Sequence, residues 1–256
     1  MMIRQPKQLF PPETQSGFTI IECLLAIILV SILLTAIAPV IALSVATRVQ
    51  ARRVEQATQA AKSYIDGVRA GKIASPAYTV TLNEVTPVPD PATGKTTNNF
   101  TPQREAIFSQ VTAPSSPLPA CPLPSPPDPT DIYPCQNDAT ASLYCINIDG
   151  NGCNGSSPRD YVVQAFRSIT PTEAAAVVDP TKPPQNGYVL AVRVYRADAF
   201  DGTVNLRTQA QTNAKAATYA GGRGDRSVPL VEMTTEIRDS DTSYTTLCQR
   251  LGGCNQ

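Results

Sequence analysis

The feature that most constrains this chain is an uncharged, strongly apolar run near its N-terminus. No charged residue occurs between Glu22 and Arg48, and Leu, Ile, Ala and Val dominate the segment. A helix that rises about 1.5 Å per residue needs about twenty residues to cross the hydrocarbon core of a bilayer. The run therefore predicts a membrane-spanning helix, with the span over about residues 18–46.

A cleaved secretory signal peptide is the alternative interpretation of the same run. Its apolar core is shorter, about 7 to 15 residues, and ends at a cleavage site of small residues. Here the run is longer, no A-x-A-like site lies beyond it, and the chain continues in a helical pattern as ATRVQARRVEQATQAAKSYIDGVRAG. We therefore expect the apolar helix to stay attached to the rest of the chain.

Glu22 is a carboxylate at the start of this apolar run. An acidic side chain in a membrane helix costs about 2.5 to 3.5 kcal/mol on insertion scales and usually has a partner. No basic residue lies within helical reach of Glu22. A cut after Gly17 would create an α-amino group on Phe18 at nearly the same depth. Pairing of this cation with Glu22 of a neighbouring subunit favours the assembly of stacked helices.

The segment SGFTIIE, together with the apolar run, resembles the class III signal of type IV pilins and pseudopilins. The resemblance implies that a prepilin peptidase cuts between Gly17 and Phe18 and that Phe18 is then N-methylated. It also implies that Glu22, at the fifth mature position, sets the register between subunits. Pro39 falls where pilins commonly carry a proline that loosens the helix.

Three composition shifts divide the chain. We expect a cleaved cytoplasmic leader over residues 1–17, one long helix over 18–71, and a globular β-rich domain over 72–256 with a proline-rich loop at 113–134. Gly71 suits the C-terminus of the helix, and Pro76 prevents its continuation.

The outer half of the long helix carries an apolar stripe at helical spacing, which predicts one buried face: Ala57, Ala61, Tyr64, Ile65 and Val68. Beyond the helix, six segments rich in β-branched and aromatic residues predict strands: 78–85, 104–111, 142–148, 161–169, 188–197 and 230–237. The polar span 202–227 predicts a long loop. The pattern therefore predicts an α+β fold, in which the long helix packs on an antiparallel sheet as in pilins.

The seven cysteines indicate disulfides in an oxidising compartment. Cys23 lies in the span, and the other six lie in the distal part, an even number that suits pairing. Short separations favour three local loops: Cys121 with Cys135, Cys145 with Cys153, and Cys248 with Cys254. A zinc site is disfavoured, because the chain has no histidine and no paired C-x-x-C.

Two signals disagree about the side of the membrane that holds the distal part. Arg48, Arg52 and Arg53 lie just past the span, and the positive-inside rule by itself would place the distal part in the cytoplasm. The cysteines favour the opposite side, as does the signal motif, which in the family it resembles is read from the cytoplasmic face. We therefore predict a single-pass inner-membrane protein with a periplasmic C-terminal domain.

The segment from Asn147 to Asp160 has two interpretations. Asn147, Asp149 and Asn151 alternate like the oxygen ligands at the start of an EF-hand, but Pro158 stands where the bidentate Glu belongs. The same composition is typical of a tight turn between strands. The segment predicts either a calcium site or a turn closed by a disulfide, and we expect no other cofactor.

The composition does not favour catalysis or nucleic-acid binding. Histidine, the usual proton shuttle at neutral pH, is missing, and the Asp and Glu residues form no recognisable constellation. The 21 basic and 21 acidic residues balance, which argues against a broad phosphate-binding surface. We expect a protein that is not an enzyme and has no nucleic-acid partner.

The helix segment LLTAIAPVIALSVATRVQARRVEQATQAAKSYIDGVRAGKI further resembles cyanobacterial pseudopilins of hormogonium polysaccharide secretion. The resemblance covers the N-terminal third and implies a pseudopilin subunit of a type IV pilus-like apparatus that exports polysaccharide for gliding motility. Implied partners are the prepilin peptidase, other pilins or pseudopilins, and an inner-membrane assembly platform with its ATPase.

Other functions remain open at this point. Within the class, the alternatives are a minor pilin for pilus priming, adhesion or DNA uptake, and a pseudopilin of a type II protein secretion system. A membrane-anchored binding protein or a carboxylate-based enzyme would keep the helix, but neither would need Glu22 or cleavage.

Overall fold

The computed structural model describes residues 17, 19–83, 87–89, 92, 96–98, 107–122, 132–136, 142–170, 186–212, 225–238 and 242–251. The helices are α1 (Ile20–Arg69), α2 (Gln209–Thr212) and α3 (Tyr244–Leu251), with a 3-10 turn at Ala197–Ala199. The strands are β1 (Thr79–Thr81), β2 (Pro87–Pro89), β3 (Thr96–Asn98), β4 (Ile132–Pro134), β5 (Ser142–Ile146), β6 (Tyr161–Ile169), β7 (Tyr188–Arg196) and β8 (Val231–Ile237). Two compact units divide the chain, residues 1–45 and 46–256, and α1 contributes to both.

The C-terminus of α1 is a Schellman motif. Gly71 adopts a positive φ of 67°, a conformation that glycine reaches without a steric cost. Its N–H donates to the carbonyl of Val68 at 3.1 Å, and the N–H of Lys72 donates to the carbonyl of Gly67 at 2.9 Å. These two bonds satisfy carbonyls that the end of a helix otherwise leaves unpaired, as the position of Gly71 predicts.

In the first unit, α1 exposes its apolar side chains. Every residue from Thr19 to Val45 is exposed, and Ile20 reaches 89% of its full accessibility. Soluble monomers rarely expose a contiguous apolar patch of more than a few hundred Å². The segment is long and apolar enough to cross a membrane.

The second unit is built on a mixed but mainly antiparallel sheet. Strands β4, β5, β6, β7 and β8 lie side by side in that order, each antiparallel to its neighbours. Strand β1 pairs in parallel with the C-terminal end of β6, with Thr79 opposite Arg167 and Thr81 opposite Ile169. Strands β2 and β3 form a separate antiparallel pair.

One face of the sheet packs against the outer half of α1. All five residues of the predicted stripe are buried there: Ala57, Ala61, Tyr64, Ile65 and Val68. They meet alternate residues of the two long central strands: Tyr161, Val163 and Ala165 of β6, and Leu190, Val192 and Val194 of β7. The α+β fold with a helix on an antiparallel sheet is therefore confirmed.

The opposite face of the sheet is covered by segments 107–122 and 197–206. Ile107 and Val111 pack on Phe166 and Ala191, while Phe200 packs with the residues near the disulfides. Because both faces are covered, every residue of β7 is buried. Burial on both faces explains why this strand is a nearly continuous apolar run in the sequence.

Arg193 on β7 is the buried charge that joins this covering segment to the sheet. Its side chain is fully buried, and its Nε donates to Oε1 of Glu232 at 2.8 Å. Its Nη1 donates to the carbonyl of Val111 at 2.8 Å, and its Nη2 donates to the carbonyl of Phe108. The guanidinium also lies 5.4 Å from the ring centroid of Phe166. The donors of this cation are therefore used to hold segment 107–112 in place.

The sequence prediction was wrong for some short elements. The predicted strand 104–111 is a helical turn over its described residues 107–109, because carbonyls of this segment turn toward Arg193 instead of toward a neighbouring strand. The proline-rich loop 113–134 ends in strand β4, and the loop 202–227 contains α2.

Helix α3 was not predicted from the sequence. Arg250, almost fully buried, fastens it through an ion pair with Glu236 of β8 at 3.3 Å, a tertiary contact without a local sequence signal.

Replacing Arg193 with Met should destabilise the second unit by about 3 to 5 kcal/mol, because it leaves Glu232 and several carbonyls without their buried partner. Urea unfolding of the full-length protein in detergent, followed by near-ultraviolet circular dichroism, measures the loss. The matched control is Arg207→Met, which breaks the exposed ion pair with Asp225 at 2.8 Å and should cost less than about 1 kcal/mol. Equal losses in the two variants would contradict this role of Arg193.

Burial raises the pKa of five tyrosines: Tyr64, Tyr144, Tyr161, Tyr188 and Tyr195, with Tyr188 raised to about 12. The folded chain keeps these protons where the unfolded chain, with a tyrosine pKa of about 10, loses them. Stability should therefore be complete below about pH 10 and then fall by about 1.4 kcal/mol per pH unit for each such tyrosine. Urea midpoints between pH 8 and 12 measure this slope.

The control for the alkaline prediction is Tyr188→Phe. This variant should match the parent near neutral pH. Between about pH 10 and 12 it should lose less stability, because phenylalanine has no phenolic proton that the folded and unfolded chains bind differently. Identical slopes in parent and variant would show that Tyr188 does not contribute.

Candidate functional site

The predicted processing and assembly residues lie at the N-terminal end of α1. Gly17, the residue before the predicted cut, is exposed. Phe18, which follows the cut and is predicted to be N-methylated, lies outside the described residues. Thr19 precedes the first helical residue, and its Oγ1 accepts the N–H of Glu22 at 3.4 Å. The carbonyl of Thr19 also accepts the N–H groups of Glu22 at 3.0 Å and of Cys23 at 3.2 Å.

These contacts give Glu22 a local role that the sequence analysis missed. Thr19 and Glu22 stand in the T-x-x-E spacing of a capping box, whose first residue caps an N–H in the first turn. A carboxylate in the first turn is also favoured by the positive end of the helix dipole. The signal was present in the sequence, because a threonine three residues before a glutamate indicates a helix start. Thr19 therefore caps the first turn of the helix, and Glu22 places a charge at the edge of the apolar run.

Glu22 itself is exposed, and no ion pair of its carboxylate is found within the described part of the chain. A carboxylate at this position can therefore be reached by a cation from outside the chain. Pro39 lies on the same helix, about 25 Å farther along its axis at 1.5 Å per residue. The two predicted assembly residues thus occupy separate levels of one exposed helix.

The helix continues through Pro39, but its hydrogen-bond ladder is weakened there. Pro39 has no N–H to donate to the carbonyl of Thr35 one turn earlier. Thr35 Oγ1 donates to the carbonyl of Ser31 at 2.5 Å, and Ser31 Oγ donates to that of Ile27 at 2.7 Å. Hydroxyls bonded back to the preceding turn and an internal proline both bend helices. These contacts provide a physical basis for the predicted loosening around Pro39.

The disulfides lie in the second unit. Cys121–Cys135 joins the proline-rich segment to the residue after β4, and Cys145–Cys153 closes a loop that leaves β5. Both pairs match the local loops predicted from the spacing. Cys248 is disulfide-bonded as well, while its predicted partner Cys254 lies outside the described residues. Cys23 is free and exposed on α1.

The candidate calcium residues are hydrogen-bonded as a turn. Asn147 Oδ1 accepts the N–H of Gly150 at 2.9 Å, and Asp149 Oδ1 accepts the N–H of Asn151 at 3.0 Å. Asp160 reaches across and accepts an N–H of the same loop at 2.8 Å. Among the described residues, no group of three His, Cys, Asp or Glu side chains is placed to hold a metal ion. The described contacts build the turn, and calcium binding by Asn147, Asp149 and Asn151 stays a prediction.

Comparisons of the chain with protein-family models, with curated proteins and with solved structures found no match. A functional assignment therefore depends on the residues of this chain and on their contacts.

Replacing Cys145 and Cys153 with Ala together should lower the free energy of unfolding of the second unit by about 2 to 3 kcal/mol, because the unfolded chain is no longer constrained by the loop. Urea unfolding of the full-length protein under non-reducing conditions measures the change. The control is Cys23→Ala, which removes a thiol that forms no disulfide and should leave the midpoint unchanged. An unchanged midpoint in the double variant would show that the loop needs no covalent closure.

Proposed function

We propose that this chain is a pseudopilin-like subunit of a type IV pilus-like apparatus, with a structural and not an enzymatic role. It is made as a precursor, cut by a prepilin peptidase between Gly17 and Phe18, and N-methylated on Phe18. The mature chain is held in the inner membrane with its second unit in the periplasm. An assembly platform and its ATPase then stack it with other pilins or pseudopilins into a short fibre that exports polysaccharide for gliding.

The observation that carries this proposal is the position of Glu22 at the start of an exposed apolar helix. All residues of α1 up to Val45 are exposed, so this surface needs lipid or neighbouring helices to cover it. The carboxylate of Glu22 sits at the edge of that surface, where desolvation is costly without a cation. The new amine of Phe18 in a neighbouring subunit supplies such a cation, and stacked helices cover the apolar surface at the same time.

Two features of the second unit support the same proposal. The outer half of α1 packs on a mainly antiparallel sheet, the arrangement expected from the resemblance to pilins. The disulfides suit an oxidising compartment, such as the periplasm. A membrane anchor of an ordinary binding protein would account for the helix and its first turn, but it would not need the charge of Glu22 or cleavage after Gly17.

Replacing Glu22 with Ala should abolish incorporation into the fibre while leaving cleavage largely intact. Mass spectrometry of the N-terminus reports cleavage, and the protein recovered in sheared fibres reports assembly. The matched control is Glu55→Ala, which removes an exposed carboxylate from the outer half of α1 and should assemble normally.

The variant Glu22→Gln separates the two roles of this residue. Glutamine also suits the third position of a capping box, so it keeps the local start of the helix and removes the charge. We expect Glu22→Gln to fail in assembly like Glu22→Ala. Normal assembly of Glu22→Gln would assign Glu22 to helix capping and remove the main support for the proposal.

An in-frame deletion in the native host tests the exported material. Extracellular polysaccharide, surface pili and gliding are measured in the same cultures. Loss of polysaccharide and gliding with pili still present is the expected result. Loss of pili instead would assign the chain to a minor pilin, and unchanged polysaccharide would contradict the export role.

A further inference from the structure

A groove on the second unit consists of two adjoining cavities of about 490 and 440 Å³. Three residues line both cavities: Gly155, Ser156 and Asp201. The groove lies beside the loop closed by Cys145 and Cys153, outside the processing and assembly residues of α1. Its size suits a small ligand or a short stretch of a polymer.

The first cavity combines apolar walls with hydrogen-bonding groups. Pro117, Leu118 and Pro119 contribute apolar surface, and the loop contributes Asn154 and Ser156. A sugar ring presents carbon-bound hydrogens on its faces and hydroxyls around its edge. Such a ring needs both kinds of surface, because each unpaired hydroxyl that is desolvated costs free energy.

The second cavity is rich in charge. Three guanidinium groups, those of Arg53, Arg196 and Arg226, line it together with the carboxylates of Asp198 and Asp201. Arg226 Nη1 lies 3.2 Å from Oδ2 of Asp201 and donates to the carbonyl of Asp198 at 2.9 Å. Arg196 forms an ion pair with Oδ2 of Asp198. Guanidinium groups bind carboxylates and sulfates through paired N–H donors, so this end of the groove favours an anion.

One carboxylate oxygen of Asp198 lacks a hydrogen-bond donor among the described residues. The residue is 8% exposed, and its Oδ1 is buried without a hydrogen-bond donor in the part of the chain that the structure describes. Buried carboxylate oxygens are nearly always hydrogen-bonded. This oxygen has almost no accessible surface, so Asp198 contributes its charge beside Arg196 rather than a contact to the ligand.

The walls of the groove are held in place before any ligand arrives. The proline-rich wall is tied down by the bond from Leu118 N–H to the carbonyl of Phe200 at 3.2 Å. Gly155 packs so closely on Phe200 that an added Cβ would lie 2.6 Å from its carbonyl oxygen. Disulfides anchor both walls, through Cys121 and Cys153. A groove with fixed walls loses little conformational entropy when it binds.

We propose that this groove binds an acidic saccharide, with the carboxylate or sulfate of one sugar at Arg226 and Arg53 and the hydroxyls of the adjoining sugar along Asn154 and Ser156. The inference rests on the proposed function, because it names the chemistry of the exported polymer. The subunit then contacts the polysaccharide directly, in addition to forming part of the fibre.

The test uses the full-length protein in a neutral detergent, with tetragalacturonate as the probe and cellotetraose as its uncharged counterpart. Isothermal titration calorimetry at low salt should give binding of tetragalacturonate and none of cellotetraose. Replacing Arg226 with Gln should weaken binding by roughly tenfold, because a hydrogen bond to a charged group is lost. Arg53→Gln should weaken it as well.

The matched control is Arg207→Gln. Arg207 also forms an ion pair with an aspartate, Asp225, at 2.8 Å. It does not line either cavity, so the affinity for tetragalacturonate should be unchanged. Thermal unfolding of each variant reports whether it is folded. If Arg226→Gln is unfolded, Arg53→Gln provides the comparison.

Several outcomes would overturn the inference. These are the absence of tetragalacturonate binding, equal weakening by Arg207→Gln, and equal competition by inorganic sulfate, which would show a small-anion site only. Binding to micelles of phosphatidylglycerol but not of phosphatidylcholine, without saccharide binding, would assign the cavity to a lipid headgroup.

The inference and the proposed function can fail separately. Calorimetry on the purified protein does not depend on fibre assembly, so binding together with unchanged polysaccharide in the deletion strain would contradict the export role only. Loss of polysaccharide in the deletion strain, without binding by the purified protein, would contradict the groove only.

Discussion

The architecture depends on an apolar surface that the described part of the chain leaves exposed. Residues of α1 up to Val45 expose their Leu, Ile and Val side chains, and the hydrophobic effect disfavours such a surface in water in proportion to its area. The segment is long and apolar enough to cross a membrane, and in the proposed fibre neighbouring helices would replace the lipid. Ser31 and Thr35 satisfy their hydroxyls within the helix, whereas the charge of Glu22 is not satisfied by apolar packing.

The outer half of the same helix lies in a different environment. From Ala57 to Val68 its small and apolar residues are buried against the central strands, so one continuous helix serves two environments. The other face of the sheet is covered by irregular segments, whose backbone N–H and C=O groups do not pair in a regular ladder as those of strands do. Arg193 satisfies several of their carbonyls from within the sheet, and two disulfides fasten the remainder. The first cavity of the groove lies beside this covering layer.

Prediction from the sequence succeeded where the signal was local and periodic. Helical spacing gave the buried stripe from Ala57 to Val68, and runs of β-branched residues gave the long strands β6 and β7. Gly71 gave the end of the helix. The turn 107–109 was predicted as a strand, because its β-branched and aromatic residues suit both conformations, and tertiary contacts such as those of Arg193 hold the turn. The T-x-x-E cap at Thr19 and Glu22 was a local signal that was overlooked.

The sequence by itself determined the apolar helix with Glu22 at its start, the α+β class and two of the short cysteine loops. These depend on composition and on spacing within a few residues, which can be interpreted without knowing distant contacts. The tertiary structure decided what covers the second face of the sheet, how Arg193 and Arg250 are paired, and that Arg53, Asp198 and Arg226 line one cavity. Those residues are far apart along the chain, and local propensity carries no information about side chains that meet only after the sheet has formed.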